Sequence, residues 1–130
     1  MSGPIGDGIQ VGFCSDTGGG WSTQLVAHSS QIHEVPSDLS DEAAVILEPA
    51  AGGVHSALKA KIQSDDVVVV QGAGTMGLCA IASIRSFTDA ETVIVAAKYP
   101  LQKSLASELG ADIVVDPGAV SYTHLTLPTT

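Results

Sequence analysis

Three glycines stand in the run Gly72-Ala73-Gly74-Thr75-Met76-Gly77, at the spacing G-x-G-x-x-G. A glycine at the first place permits a tight turn, and one at the second leaves no Cβ between the backbone and an approaching diphosphate. One at the third lets a helix lie close against a strand. The spacing alone occurs in many unrelated loops, so its meaning comes from its neighbours. Four β-branched residues, Val67-Val68-Val69-Val70, run directly into it, and apolar residues at helical spacing follow over 76–87. A strand, a glycine turn and a helix N-terminus together predict that the backbone N–H groups of Gly72, Gly74, Thr75, Met76 and Gly77 hold the diphosphate of a dinucleotide. The bland alternative is a glycine-rich strand-to-helix turn that binds nothing.

A dinucleotide site of this type carries its selectivity about twenty residues further on, where an acidic side chain at the end of the second strand takes the ribose 2′-hydroxyl of NAD. Counting from Gly77 reaches Ala97, with Lys98 next and Lys103 beyond it. A small neutral residue leaves room for a 2′-phosphate and Lys98 offers it a positive charge, so the chain leans toward NADP over NAD. Glu91 does not supply the missing acid, because it precedes the second strand.

The elements that position these residues follow the same rhythm. Ser40 is a good N-cap for a helix beginning at Asp41 and Glu42, whose charges favour the positive end of the dipole. Pro49 and Gly52-Gly53 are expected to interrupt that helix before it resumes over 54–61. The four valines predict a strand buried on both faces. A helix over 76–87, a strand over 92–97 and a helix opened by Pro100 come next, the last with Leu101, Leu105 and Leu109 as its apolar stripe and Gly110 at its end. Residues 113–115 form a third strand. Strand, helix, strand, helix, strand is the first half of a doubly wound α/β sheet with right-handed crossovers. Upstream, a glycine-rich loop fills the first twenty residues, and residues 21, 24–27 and 32–35 read as short strand pieces broken at Ser29-Ser30.

Composition narrows the partners. Fourteen acidic against five basic residues leave a net charge of −9, which repels nucleic acid and anionic lipid. The longest apolar run is far too short to span a bilayer, and no basic-then-apolar leader follows Met1, so a cytoplasmic protein is expected. Cys14 and Cys79 share no metal-binding or disulfide spacing, and Cys79 on an apolar helix reads as a small buried thiol.

Several separated segments carry a family resemblance: Gly18-Gly19-Gly20-Trp21-Ser22, Val35-Pro36 through Leu39-Ser40-Asp41-Glu42-Ala43-Ala44, Glu48-Pro49, the glycine turn, and Glu108-Leu109-Gly110-Ala111-Asp112. Over 9–117 the chain resembles the zinc-dependent medium-chain alcohol dehydrogenases, and Ala97-Lys98-Tyr99-Pro100 is similar to a zinc-binding dehydrogenase subgroup. The resemblance implies a fragment. Residues 1–39 would be the C-terminal end of a GroES-like catalytic domain, with its last strands, and 40–117 a connecting helix and partial Rossmann domain. It further implies hydride transfer between a nicotinamide cofactor and a small alcohol or carbonyl substrate, zinc in the full-length parent, and a homo-oligomeric parent. Glu48 matches the position where sorbitol- and threonine-dehydrogenase-like members place a glutamate at or beside the catalytic zinc. A carboxylate suits that role, since zinc acts there as a Lewis acid on the substrate oxygen.

Other parts of the family pattern are missing. The cysteine and the Gly-His-Glu histidine that complete the zinc site, and the four-cysteine structural loop, do not occur in this sequence. Cys14 lies near where that loop would finish but has no partners, and His28, His33, His55 and His124 show no paired spacing; His55 is the only one placed near the cofactor cleft, and a helix-surface histidine is its preferred reading. The Thr-rich tail at 118–130 departs from the family and resembles translated adapter DNA, so it carries no fold expectation. Two rival functions fit the same residues: a zinc-free reductase of the quinone-reductase kind, and a non-catalytic NAD(P)-binding regulatory module. Glu48-Pro49 speaks against the first.

Overall fold

A computed structural model describes residues 19–118. The expected glycine loop up to residue 18, Cys14 and the tail containing His124 lie outside them. The chain divides between Leu39 and Ser40 into two units, Met1–Leu39 and Ser40–Thr130.

The described part of the first unit contains a single 3-10 turn, Ser29–Gln31, held by His28, whose Nδ1 accepts from the Ser30 N–H at 3.2 Å. The strand pieces expected over 21–35 do not form. Ile32 is extended, yet a strand also needs a neighbour to exchange N–H and C=O bonds with, and none of the described residues provides one. Val26 is left 95% exposed.

The second unit opens with α1 (Asp41–Ala44), where the Ser40 hydroxyl accepts from the Ala43 N–H at 3.3 Å. The chain breaks at Val45 and Ile46, and α2 (Leu47–Ala60) then runs without interruption through Pro49, Gly52 and Gly53. The expected break is therefore misplaced, for two physical reasons. Pro49 falls in the first turn, where its missing N–H would have had no partner. The two glycines are a packing surface: a Cβ on Gly53 would lie 2.7 Å from the backbone carbonyl of Cys79 on the next helix.

The strands are β1 (Val67–Gln71), β2 (Thr92–Ala96) and β3 (Ile113–Val115), connected by α3 (Thr75–Phe87) and α4 (Pro100–Glu108). All pair in parallel, in the order β1-β2-β3. The register brings Val70, Val95 and Val114 together on one face and Val69, Ile94 and Ile113 on the other. The first face meets Ile81 and Ile84 in the core, where Val93, Val95 and Ile81 are fully buried. The second is open, with Val67 57% and Val69 65% exposed. The expectation of a strand buried on both sides thus fails, because the described helices leave that face uncovered. Helix α4 likewise buries Ala106 where a leucine stripe was expected, and leaves Leu101 exposed.

The Glu108-Leu109-Gly110-Ala111-Asp112 segment closes this unit. Gly110 takes a left-handed φ of 106° past the end of α4. The Arg85 guanidinium donates to the Gly110 and Ala90 carbonyls at 2.7 and 2.9 Å and pairs with Asp112, whose carboxylate accepts the Val93 N–H at 2.7 Å. That N–H, and then Arg85, hold the Asp112 carboxyl below the usual carboxylate range.

Candidate functional site

The glycine turn is built at the C-terminal end of β1. Gly72 has φ +102°, a conformation that L side chains rarely adopt, while its N–H still donates to the Ala96 carbonyl at 3.0 Å. Gly74 is the N-cap of α3 and has no side chain to cap it; a Cβ there would meet nothing within 4 Å. Leu78 makes the first helical bond, to the Gly74 carbonyl at 2.9 Å. Among the described residues no acceptor meets the N–H groups of Thr75, Met76 and Gly77. Three free donors at the positive end of a helix, with clear space before them, suit a diphosphate. Gly77 has the third expected role, since a Cβ there would collide with the Gly72 carbonyl oxygen.

Above this turn lies a cleft of about 290 Å³, bounded by Gly72, Ala73 and Gly74 on one side and by Ala96, Lys98, Gln102 and Pro117 on the other. It sits at the C-terminal ends of the parallel strands, where open α/β sheets bind ligands. Lys98 is exposed, its Nζ 5.6 Å from the centre of the Tyr99 ring. Ala97 is buried with Ala73 in the core, and its N–H donates to the Val115 carbonyl at 2.9 Å. The end of β2 accordingly brings a cation and no carboxylate to the cleft.

Gln102 and Pro117 were not singled out by sequence spacing. Both follow from the strand-end rule, Gln102 from the helix after β2 and Pro117 from the loop after β3. Beside them, Lys103 Nζ donates to Asp116 Oδ2 at 2.8 Å, and Asp116 Oδ1 accepts the Gly118 N–H at 2.8 Å. The Lys103 bond foremost, then the Gly118 bond, with a contribution from the charge of Lys98, hold the Asp116 carboxyl below its ordinary range.

The Thr75 and Met76 side chains do not line the cleft. The Thr75 side chain lines a separate apolar groove of about 490 Å³ with Ile46, Leu78 and Leu105, and the Met76 side chain reaches toward Gly52. Cys79 is half-buried on the same groove. Glu48 is exposed in the first turn of α2, where its charge complements the helix dipole. Among the described residues no three of His, Cys, Asp and Glu gather closely enough to hold a metal ion. By itself one carboxylate cannot hold zinc, which needs three protein ligands at a catalytic site. His55 is exposed on α2 and does not line the cleft.

No protein-family model matches the chain. It is 34% identical over 82 residues to a sorbitol dehydrogenase of Bacillus subtilis, matching 63% of this chain and 23% of that protein. It is 37% identical over 87 residues to an L-threonine 3-dehydrogenase of Rhizobium etli, matching 67% of this chain and 25% of that one. The chain is a homologue of sorbitol, L-threonine and butanediol dehydrogenases. It spans about a quarter of the length of these relatives. Among solved structures, galactitol-1-phosphate dehydrogenase of Escherichia coli superposes with a TM-score of 0.67 at 26% identity, over 80% of this chain and 30% of that one. A zinc-binding dehydrogenase of Sinorhizobium meliloti bound to NADP gives 0.58 at 31% identity, over 67% and 25%. A structure described as a short chain alcohol dehydrogenase of E. coli complexed with NADH gives 0.61 at 26%, over 68% and 26%. The parallel sheet of this dehydrogenase homologue, in the order β1-β2-β3, has the topology of the first half of a Rossmann fold. No helix among its described residues is long and apolar enough to cross a membrane.

Proposed function

We propose that this chain carries the adenosine-diphosphate half of a nicotinamide cofactor site, belonging to an oxidoreductase that interconverts a small alcohol and its carbonyl, and that the cofactor is NADP. The observation that carries this is the uncapped start of α3 behind a left-handed Gly72, facing a cleft whose far wall holds Lys98 and no acid. Free N–H groups orient the diphosphate, and Lys98 takes the 2′-phosphate. When bound, the nicotinamide supplies the acceptor or donor of hydride. NADP-bound and NADH-bound neighbours both exist, so selectivity rests on this chain's own residues. Residues 1–39 are proposed as the end of a GroES-like domain, and Glu48 as a carboxylate at or beside a zinc whose other ligands are not in this sequence. The proposed setting is a homo-oligomer in the cytoplasm.

Titration with NADPH and NADH, followed by nicotinamide fluorescence, tests the cofactor assignment. NADPH should bind more tightly, and Lys98→Ala should weaken NADPH about tenfold, about 1.4 kcal/mol, while leaving NADH unchanged. Tighter NADH binding that is insensitive to Lys98→Ala defeats it.

A further inference from the structure

Three positively polarised groups flank the rim of the cleft, and two of them, the α4 N-terminus and Lys98, are free to meet a phosphate. The α4 N-terminus contributes N–H dipoles next to Gln102, because Tyr99 supplies no side-chain cap. Lys98 lines the cleft and makes no ion pair among the described residues. Lys103 follows Gln102 directly, yet its ammonium is bound to Asp116, which itself directly precedes the lining residue Pro117. Asp116 is fixed from its other oxygen by the Gly118 N–H, so the carboxylate is held as an anchor for Lys103. Two opposed charges thus cancel at the edge of the site.

We infer that Asp116 is a specificity-determining residue: by holding Lys103 it limits the grip of the cleft on a 2′-phosphate, and Lys103 in turn masks the repulsion Asp116 would exert on that phosphate. The inference rests on the NADP assignment above, and its signature is a pair of opposite signs. Removing the carboxylate releases a second cation beside Lys98. Removing the ammonium leaves a bare anion facing the phosphate. A pair that merely stabilised the loop would weaken binding whichever partner was lost.

The test is calorimetric titration of the full chain with 2′,5′-ADP, which carries the 2′-phosphate, and with 5′-AMP, which does not, at low and high salt. The variants are Asp116→Asn, Lys103→Met, the double variant and Lys98→Ala, each checked for an unchanged circular dichroism spectrum. Asp116→Asn should tighten 2′,5′-ADP about threefold and Lys103→Met should loosen it about threefold, the range expected of exposed ion pairs. The double variant should return to the wild-type value, 5′-AMP should not respond, and salt should erase the differences. Loosening of 2′,5′-ADP by Asp116→Asn, no change, or equal shifts for both ligands overturns the inference. If wild type holds both ligands equally and Lys98→Ala changes neither, the NADP assignment fails, while the Asp116 arm still decides its own question. Failure of the folded wild type to bind either ligand overturns both.

Discussion

Gly52 and Gly53 are adjacent in one helix, and the structure assigns them opposite responses to the same substitution. In Gly53→Ala the new Cβ falls 2.7 Å from both the carbonyl carbon and the oxygen of Cys79, and 3.0 Å from Ser83 Oγ. Ordinary contact begins at about 3.5 Å, so the clash is about 0.8 Å and falls on backbone. Ser83 is not free to yield, since its hydroxyl donates to the Cys79 carbonyl at 2.7 Å. Helices α2 and α3 must part. Overpacking of this kind costs about 1–3 kcal/mol, and alanine's better helix propensity offsets about 1 kcal/mol, for a net loss of up to about 2 kcal/mol. In Gly52→Ala the Cβ meets only the Met76 Cε, at 2.9 Å, and that flexible tip swings aside. Propensity then dominates, for a gain of up to about 1 kcal/mol. Urea unfolding followed by circular dichroism should lower the Gly53→Ala midpoint by up to about 1 M and leave that of Gly52→Ala unchanged or raised. A Gly53→Ala midpoint equal to or above that of Gly52→Ala refutes the reasoning that these glycines are a helix seam.

Gly74→Ala and Gly77→Ala separate binding from folding in the glycine turn. The first has open space around its Cβ, so stability should hold while affinity for 2′,5′-ADP falls at least tenfold; the second strikes Gly72 and should lower both, with unfolding and titration run on the same samples. The folded-state carboxyls of Asp112 and Asp116 are both lowered. Their stabilisation is therefore full above the unfolded value of about 4 and is lost as pH falls through the lower folded values. Urea midpoints should drop as the pH is taken below about 4, and Asp112→Asn should flatten that drop while lowering the midpoint at neutral pH. An unchanged acid limb in Asp112→Asn removes the Val93 and Arg85 contacts as its cause.

The sheet, its connecting helices and the glycine turn were legible because each is written in local terms. β-Branched runs, helical spacing, Pro100 and Gly110 mark boundaries without reference to distant residues, and β1 to β3, α3 and α4 follow them to within a residue. What escaped depends on partners. A glycine pair inside a helix looks like a break until the neighbouring helix that requires it is known. Four valines state that a strand forms, but not whether both faces are covered. Residues 21–35 have strand composition and, among the described residues, no strand partner. Helix α4 shows the same limit, since its leucines are the larger residues but Ala106 is the one the sheet accepts. At the site, the spacing reached Lys98 but not Asp116 or Gln102, because the strand-end geometry that joins them is not a sequence interval.

The bare start of α3 has a consequence for how occupancy would register. A helix whose first donors lack partners is incomplete secondary structure, and an anion resting on them performs the office that a serine performs for α1 at Ser40. Ligand and helix terminus then share one equilibrium: whatever frays the first turn of α3 weakens the ligand, and whatever binds there disfavours the fraying by the same free energy. A diphosphate bound there would be, in that sense, the missing residue of the helix.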